Sequence, residues 1–291
     1  MVQYTHKSSN PKCGAQRRGK NFKDHSLTPD SELFWSQRSA VFAEEARDPH
    51  SFYARRAALV AEIASQRARG IRTLDLGCGA GQLCLDLAKR GFDVHGVDLS
   101  QAQVAMAVEG LQNLVGDAER RFRVGDAAAV PFAGKFDVIT AIGLLPYVEN
   151  HADFIAGAVA RLVPGGLLLI SCTNRASLFT LLALARHLRG FKPSRAWFDV
   201  FRNLARTGVW SGGFVDPGAA GQCRSAKALD RLCVRLGLAP QDALDLYNVD
   251  WCGLDRSPRE RGPIGRAAAR YCSWCHVGIY RLTDDARGTE A

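Results

Sequence analysis

Residues 71 to 174 alternate between short apolar runs and amphipathic segments. Apolar runs bounded by turn residues predict strands, and apolar positions three to four residues apart predict helices. A parallel sheet covered by helices on both faces produces this alternation, so the predicted fold class is α/β, doubly wound. The predicted strands are 71–76, 93–98, 121–124, 136–142 and 167–172, and the predicted helices are 81–89, 101–111 and 151–162.

Helical patterns also precede this region. Phe34, Trp35 and Val41 lie at near-helical spacing, and Pro49 ends that pattern. Ser51 then caps a second amphipathic helix. Towards the C-terminus, a helix is predicted over 225–236, a sixth strand over 238–247 and a seventh over 270–282.

Composition divides the chain of 291 residues into five segments. Few apolar residues precede position 31, so that part is predicted to be a disordered basic tail. Aromatic residues and glycines after the fifth strand break the strand–helix alternation, which predicts an inserted cap. The segments are the tail 1–30, the N-terminal helices 31–70, the core 71–174, the cap 175–224 and the C-terminal part of the fold 225–291.

The formal net charge of +9 is concentrated outside the predicted core. The tail 1–30 carries six Lys/Arg against two Asp/Glu, and the cap 175–224 carries eight against two. A basic segment is most often a solvated one. Nucleic acid or an acidic membrane surface are the functional alternatives.

Several features predict a cytoplasmic location. No run of eighteen or more apolar residues exists that would predict a membrane-spanning helix. Residues 1–23 are polar and basic, unlike a secretory signal. The nine cysteines are odd in number and scattered, which favours reduced thiols over a disulfide framework.

A glycine-rich turn follows the first predicted strand. Gly77, Gly79 and Gly81 are spaced by two, and a helical segment follows immediately. Glycine permits positive φ and lets a ligand approach the bare main chain. A strand, a glycine turn and a helix predict a nucleotide-type cradle. The spacing differs from the G-x-G-x-x-G of dinucleotide sites, and no P-loop sequence follows. A purely structural turn is the alternative.

An acidic residue ends the second strand. Asp98 lies 21 residues after Gly77, where a carboxylate accepts hydrogen bonds from two vicinal ribose hydroxyls. The alternative interpretation is that Asp98 caps the following helix.

Together these motifs resemble those of class I S-adenosylmethionine (AdoMet) methyltransferases. The other matching motifs are Gly125-Asp126-Ala127, Phe136-Asp-Val-Ile139 with Ala141-Ile142-Gly143, and Leu162-Val-Pro-Gly-Gly166. The closest similarity is to the small-molecule branch, including ubiquinone-biosynthesis O-methyltransferases. The resemblance implies a Rossmann-like seven-stranded sheet whose last strand is antiparallel. It implies AdoMet as methyl donor, bound by Asp75, Gly77, Cys78, Gly79, Gly81, Asp98, Leu99, Asp126, Ala127 and Ile142.

The methionyl carboxylate of AdoMet needs a cationic partner, which an N-terminal helix often supplies in related enzymes. Tyr53 and Arg56 on the second predicted helix are the candidates. Solvated helix arginines are the alternative. Asp126 is predicted to accept from the exocyclic amine of adenine, with a surface turn as its alternative.

The acceptor side departs from the family pattern. Leu144-Leu145-Pro146-Tyr147-Val148 stands where ubiquinone-type enzymes carry a Glu-His pair, which argues against metal-assisted methylation of a catechol. It also lacks the polar acceptor of nucleic-acid amino-methyltransferases and the Pro-Cys of RNA 5-methylcytosine enzymes. Tyr147 and His151 are the catalytic candidates. Alternatively, Tyr147 is site wall and His151 a surface helix residue.

A C-x-x-C-H pattern near the C-terminus does not lead us to predict haem. Cys272-Ser-Trp-Cys275-His276 matches the haem-attachment pattern, but it lies on a predicted strand of a chain without an export signal. No second ligand pair is spaced for zinc, so no metal is predicted.

The leading prediction is methyl transfer from AdoMet to O or N of a small, partly apolar metabolite, with no nucleic-acid partner. One alternative acceptor is a macromolecule, bound through the basic tail and cap. Another is a lipid-like molecule, reached by peripheral membrane contact through residues 176–190. A non-enzymatic, membrane-binding protein is the third hypothesis.

Overall fold

The computed structural model describes residues 51–174, 222–246 and 275–283, together with Glu44, Asp48, Trp210 and Ser211. For residues 210–211, 222–223 and 244–246 it gives the backbone alone. The predicted tail, most of the first predicted helix, most of the predicted cap and Cys272 lie outside the described residues.

Seven strands form one sheet in the order β3-β2-β1-β4-β5-β7-β6. The last strand in sequence, β7, is antiparallel to both of its neighbours, while the first five strands pair in parallel. This confirms the predicted sheet. The strands are β1 (Arg72–Leu76), β2 (Asp93–Asp98), β3 (Phe122–Val124), β4 (Phe136–Ala141), β5 (Leu162–Thr173), β6 (Leu238–Leu246) and β7 (Cys275–Leu282).

Serine or asparagine side chains begin four of the helices. Ser51 Oγ accepts from Ala54 N at 3.0 Å and Ser100 Oγ from Gln103 N at 3.4 Å, which confirms both predicted caps. The described helices are α1 (Phe52–Arg67), α2 (Gln82–Ala88), α3 (Gln101–Leu111), α4 (Ala118–Arg121), α5 (His151–Ala160) and α6 (Ala226–Arg235). Within the described residues, no helix combines the length and the apolar character that a membrane crossing requires.

Two hydrophobic layers cover the sheet. Val94, Val138 and Leu169 pack with α1, α2 and α3 on one face. Ile139 and Ile170 pack with α5 and α6 on the other. Because strand side chains alternate between faces, consecutive residues of β4 serve opposite layers. Burying each such aliphatic side chain stabilises the fold by about 1.5–3 kcal/mol.

The fifth strand differs from its predicted bounds. It begins at Leu162, five residues before the predicted start, and α5 therefore ends at Ala160. Leu162 pairs with Phe136, and the register then shifts before Val138 pairs with Leu167. The predicted Pro-Gly-Gly turn is thus an irregularity within the strand, where Gly165 has φ +72°.

The helix before the first strand is tied to the far edge of the sheet. Arg67 forms an ion pair with Asp242 of β6 at 2.7 Å. Arg281 of β7 donates to the carbonyl oxygens of Arg67 and Gly165, both at 2.8 Å. These contacts fix the C-terminal end of α1 beside β5, β6 and β7.

Candidate functional site

The strand order reverses between β1 and β4, and their carboxyl ends meet there. Ligands of open α/β sheets bind in the crevice at such a switch point. Gly77 follows β1, while Gly143 and Leu144 follow β4. A Cβ on Gly77 would lie 3.1 Å from Leu144 Cδ1, so the glycine turn packs directly against the turn after β4.

The glycine turn requires its glycines. Gly77, Gly79 and Gly81 have φ values of +73°, +54° and +82°, which side chains other than glycine rarely adopt. A Cβ on Gly81 would also lie 2.9 Å from Ala107 Cβ. The Gly77 and Cys78 N–H groups donate to Val97 O at 2.8 and 3.1 Å, which holds the turn on β2.

Asp98 faces the glycine turn from the end of β2. Its Oδ2 accepts from Gly79 N and its Oδ1 from Ser100 N, both at 2.9 Å. Burial raises the pKa of Asp98, and these two backbone hydrogen bonds oppose the rise. Each oxygen retains lone pairs for a further donor. The helix-cap alternative is wrong, because Ser100 is the N-cap of α3.

The turn after β3 lies beside Asp98. Gly125 N donates to Asp98 O at 2.9 Å. Asp126 Oδ1 accepts from Ala128 N at 2.8 Å, which orients its carboxylate within the turn. Ala127 is 4% exposed and packs in the core, so only its main chain can border the crevice. Leu99 is half-buried between Asp98 and Ser100.

Two of the predicted donor-binding residues have buried side chains: Asp75 on β1 and Cys78 within the glycine turn. Asp75 is buried, with Oδ1 accepting from Thr140 Oγ1 at 2.7 Å and Oδ2 from Cys84 Sγ at 3.6 Å. Burial raises its pKa to about 7. Asp75 thus joins β1, β4 and α2. Burial also raises the pKa of the Cys78 thiol well above its usual value, so that thiol is not a nucleophile.

Arg56 reaches the crevice from α1. Its Nη2 lies 3.0 Å from where a Cβ on Gly143 would be, and Ile142 is half-buried next to that glycine. The guanidinium stacks over Phe52 and Tyr53, with its Cζ 5.3 and 5.6 Å from the ring centroids. Within the described residues, Arg56 forms no ion pair. A guanidinium of this kind can donate hydrogen bonds to the carboxylate of a ligand.

The turn after β4 borders the other side of the crevice. Gly143 N donates to Ser171 Oγ at 2.6 Å, which ties the turn to β5. A single 3-10 turn, Leu145–Tyr147, follows. Leu145 is fully buried and Tyr147 is half-buried.

His151 is 3% exposed, so the interpretation as a surface helix residue is wrong. Its Nε2 lies 2.9 Å from Leu145 O, and its Nδ1 accepts from Arg224 Nε at 3.1 Å. Burial, with a smaller contribution from Arg224, lowers the pKa of His151 to about 4. The ring is therefore neutral at pH 7, and both of its nitrogens are hydrogen-bonded.

Sequence reasoning did not find Thr140, Ser171 or Arg224. Each is a polar residue in a buried or partly buried place, yet each partner is distant in sequence: Asp75, Gly143 and His151 respectively. A Ser or Thr inside a largely apolar strand was the available signal for the first two. Nothing in the sequence around Arg224 pointed to His151.

The described residues contain no group of three or more His, Cys, Asp or Glu side chains that could hold a metal ion. Cys275 and His276 are buried on β7.

The family described as "Methyltransferase domain" matches residues 44–242. The chain belongs to the class I AdoMet-dependent methyltransferase family. The match begins before α1 and ends within β6, so it spans both sides of the crevice.

Individual relatives agree with this membership. The chain is 36% identical over 108 residues to the ubiquinone biosynthesis O-methyltransferase of Marinobacter nauticus, covering 36% of this chain and 45% of the relative. With the enzyme of that name from Pseudomonas entomophila it shares 32% identity over 146 residues, covering 49% and 62%. The chain thus matches about half the length of these curated relatives.

A solved structure shows the same fold. Magnesium protoporphyrin IX methyltransferase from Synechocystis, with bound SAH, superposes with a TM-score of 0.56 at 14% sequence identity. The superposition covers 87% of this chain and all of the other.

Proposed function

We propose that this methyltransferase-family chain transfers a methyl group from AdoMet to an oxygen or nitrogen of a small, partly apolar metabolite. The observation that carries the proposal is the meeting of three groups at the switch point: the positive-φ glycine turn, the Asp98 carboxylate and the Arg56 guanidinium. The ubiquinone biosynthesis relatives support a small acceptor.

The residues at the crevice fit AdoMet. Asp98 would accept from the ribose hydroxyls, and Asp126 from the adenine amine. Arg56, stacked on Tyr53, would bind the methionyl carboxylate. The main chain of the glycine turn would lie against the ligand without side-chain obstruction, with Leu99, Ala127 and Ile142 alongside.

When bound, AdoMet would supply a sulfonium-activated methyl group, whose bond to sulfur breaks as the acceptor's oxygen or nitrogen bonds to the methyl carbon in line, with the demethylated donor as leaving group. The chain then contributes mainly proximity and orientation. Tyr147 lies on the turn after β4, and we assign its hydroxyl to contact and orient the acceptor. His151 has both ring nitrogens engaged, so we assign it to support that turn and not to remove a proton.

Calorimetric titration with AdoMet and with its demethylated product tests donor binding. Asp98→Asn should weaken binding of both ligands at least tenfold, since one hydrogen bond to a charged acceptor is lost. Glu109→Gln, an exposed change on α3, is the matched control. Binding by Asp98→Asn as tight as by the unaltered chain would contradict the donor assignment.

Transfer of a labelled methyl group to a panel of simple phenols, carboxylic acids and amines tests the acceptor class. Labelled product with at least one of them supports the proposal. Product formed only with nucleic acid or protein would show a macromolecular acceptor. Activity that requires anionic vesicles, with co-flotation of the chain, would favour a lipid-like acceptor; residues 176–190, predicted for that contact, lie outside the described residues.

A further inference from the structure

The chain leaves the sheet after β5 and returns to the same place. Arg224 N donates to Thr173 O at 3.2 Å, and Cys172 Sγ donates to Arg224 O at 3.5 Å. Asn174 and Arg224 also form a bridge. Residues 172–174 and 222–224 therefore lie together beside the carboxyl end of β5. We call these residues the stem.

A side-chain connection runs from the stem to the turn after β4. Arg224 Nε donates to His151 Nδ1 at 3.1 Å. That bond leaves the ring proton on Nε2, which lies 2.9 Å from Leu145 O and donates to it. Leu145 begins the 3-10 turn that contains Tyr147. One neutral imidazole thus joins two chain segments on the acceptor side of the crevice.

Local helix formation does not account for this arrangement. His151 is the first residue of α5, but Asn150 already caps that helix, accepting from Ala152 N at 3.0 Å and Asp153 N at 3.2 Å. Leu145 O and Arg224 Nε belong to other elements. An apolar side chain would fill the same buried place without needing partners.

We propose that His151 and Arg224 are positioning residues that couple the stem to the Leu145–Tyr147 turn. This inference rests on the proposed function, in which the Leu145–Tyr147 turn borders the acceptor. The donor side contributes none of these contacts: its turn is held by Val97 and Asp98. Changes at either residue therefore alter the acceptor side and leave AdoMet binding in place.

Two amide substitutions separate the two hydrogen bonds. The Gln side chain places its amide where Nε2 lies, so His151→Gln retains the bond to Leu145 O and loses the bond to Arg224. His151→Asn places its amide near Nδ1, so it retains the bond to Arg224 and loses the bond to Leu145 O. Arg224→Met removes the donor from the other side, and Arg231→Met, an exposed change on α6, is the matched control.

Amide hydrogen exchange of the full chain, measured by mass spectrometry, tests the coupling without any acceptor. Arg224→Met should increase exchange about tenfold in peptides covering 144–148, and His151→Gln should do so at 222–224. Peptides covering 77–83 and the calorimetric Kd for AdoMet should stay within twofold. The double variant should exceed neither single variant, because one connection is lost in each case.

Two results would overturn the proposal. One is an increase in amide exchange that is confined to the neighbourhood of each substitution, with the increases of the two single variants adding in the double variant. The other is a uniform increase across the molecule, the glycine turn included, which indicates general destabilisation. Failure of the unaltered chain to bind AdoMet would instead contradict the proposed function. With any acceptor found in the methyl-transfer panel, the same variants should raise KM for the acceptor and not for AdoMet.

Discussion

The two sides of the crevice are held in different ways. On the donor side, main-chain groups of one short turn bond to the neighbouring strand and, from Gly79, to the carboxylate of Asp98, 19 residues away. On the acceptor side, Ser171 and Arg224 reach Gly143 and His151 across 28 and 73 residues of sequence. Donor geometry is thus encoded in local motifs, whereas acceptor geometry depends on side chains that only the folded chain brings together.

Burial shifts the pKa values of the titratable groups on the two sides in opposite directions. Asp75, on the strand before the donor turn, has a pKa raised by burial to about 7. His151, behind the acceptor turn, has a pKa lowered by burial to about 4. Both groups are therefore favoured in their neutral forms, and the two sides should respond to pH in opposite directions.

The largest expected effect is at Asp75. The folded state retains the proton up to about pH 7, while an unfolded aspartate loses it near 3.8. The free energy of unfolding should therefore fall as pH rises from about 4 through 7, with Asp75 contributing about 4 kcal/mol of that fall. Urea denaturation should show that the free energy of unfolding of Asp75→Asn, relative to that of the unaltered chain, increases as pH rises.

Glu109→Gln controls for the loss of one surface carboxylate. Parallel stability curves for Asp75→Asn and the unaltered chain would show that Asp75 is ionised already at low pH, which would remove the contrast between the two sides.

The next effect is at Gly81. Alanine there would hold an unfavourable positive φ and bring its Cβ within 2.9 Å of Ala107 and Leu111. Strain and overpacking together should lower the free energy of unfolding by about 3 kcal/mol and abolish AdoMet binding. Gly110→Ala on α3 is the matched control, because nothing lies within 4 Å of its new methyl group.

That control should stabilise the chain by about 0.5–1 kcal/mol, since alanine favours a helix more than glycine does. Gly81→Ala with normal AdoMet binding would mean that the donor side does not depend on its turn conformation.

On the acceptor side, His151 should act in the opposite pH direction to Asp75. An unfolded histidine gains its proton near pH 6.5, whereas folded His151 remains neutral to about pH 4. The free energy of unfolding should therefore fall as pH falls from 6.5 through 4, by about 3 kcal/mol. His151→Gln should remove this part of the pH dependence, measured by urea denaturation at pH 4.5 and 7.5.

His95, which is partly exposed on β2, supplies the control as His95→Gln. Burial also lowers the pKa of His95. Because His95 is less buried than His151, its substitution should change the pH dependence of the free energy of unfolding less. A larger change from His95→Gln than from His151→Gln would contradict the assignment.

The smallest effect is at Arg56. Arg56→Gln should weaken AdoMet binding about tenfold, because a charge-assisted contact to the methionyl carboxylate is lost. Arg69→Gln, an exposed change beyond the end of α1, should leave the calorimetric Kd unchanged. Equal effects of the two variants would indicate a long-range influence of charge and no direct contact.

The sequence predicted most of the fold and the positive-φ conformation of the glycine turn correctly. The seven-stranded sheet, the Ser51 and Ser100 caps and the positive-φ glycines were all legible, because each depends on periodicity or on the conformational preference of one residue type. The start of β5 was wrong, because the Pro-Gly-Gly sequence resembles a turn and is accommodated within the strand by a register shift. His151 was weighed as a catalytic or surface residue, and its burial was not foreseen.

By itself, the sequence determined the family, the order of the elements and the position of the glycine turn after the first strand. Those features follow from backbone preferences and apolar spacing, which act over a few residues. The tertiary structure alone decided that Asp75 bonds to Thr140, that Arg56 lies against Gly143 and that Arg224 holds His151. These contacts join residues far apart in sequence, so packing of the whole sheet and its helices had to bring them together.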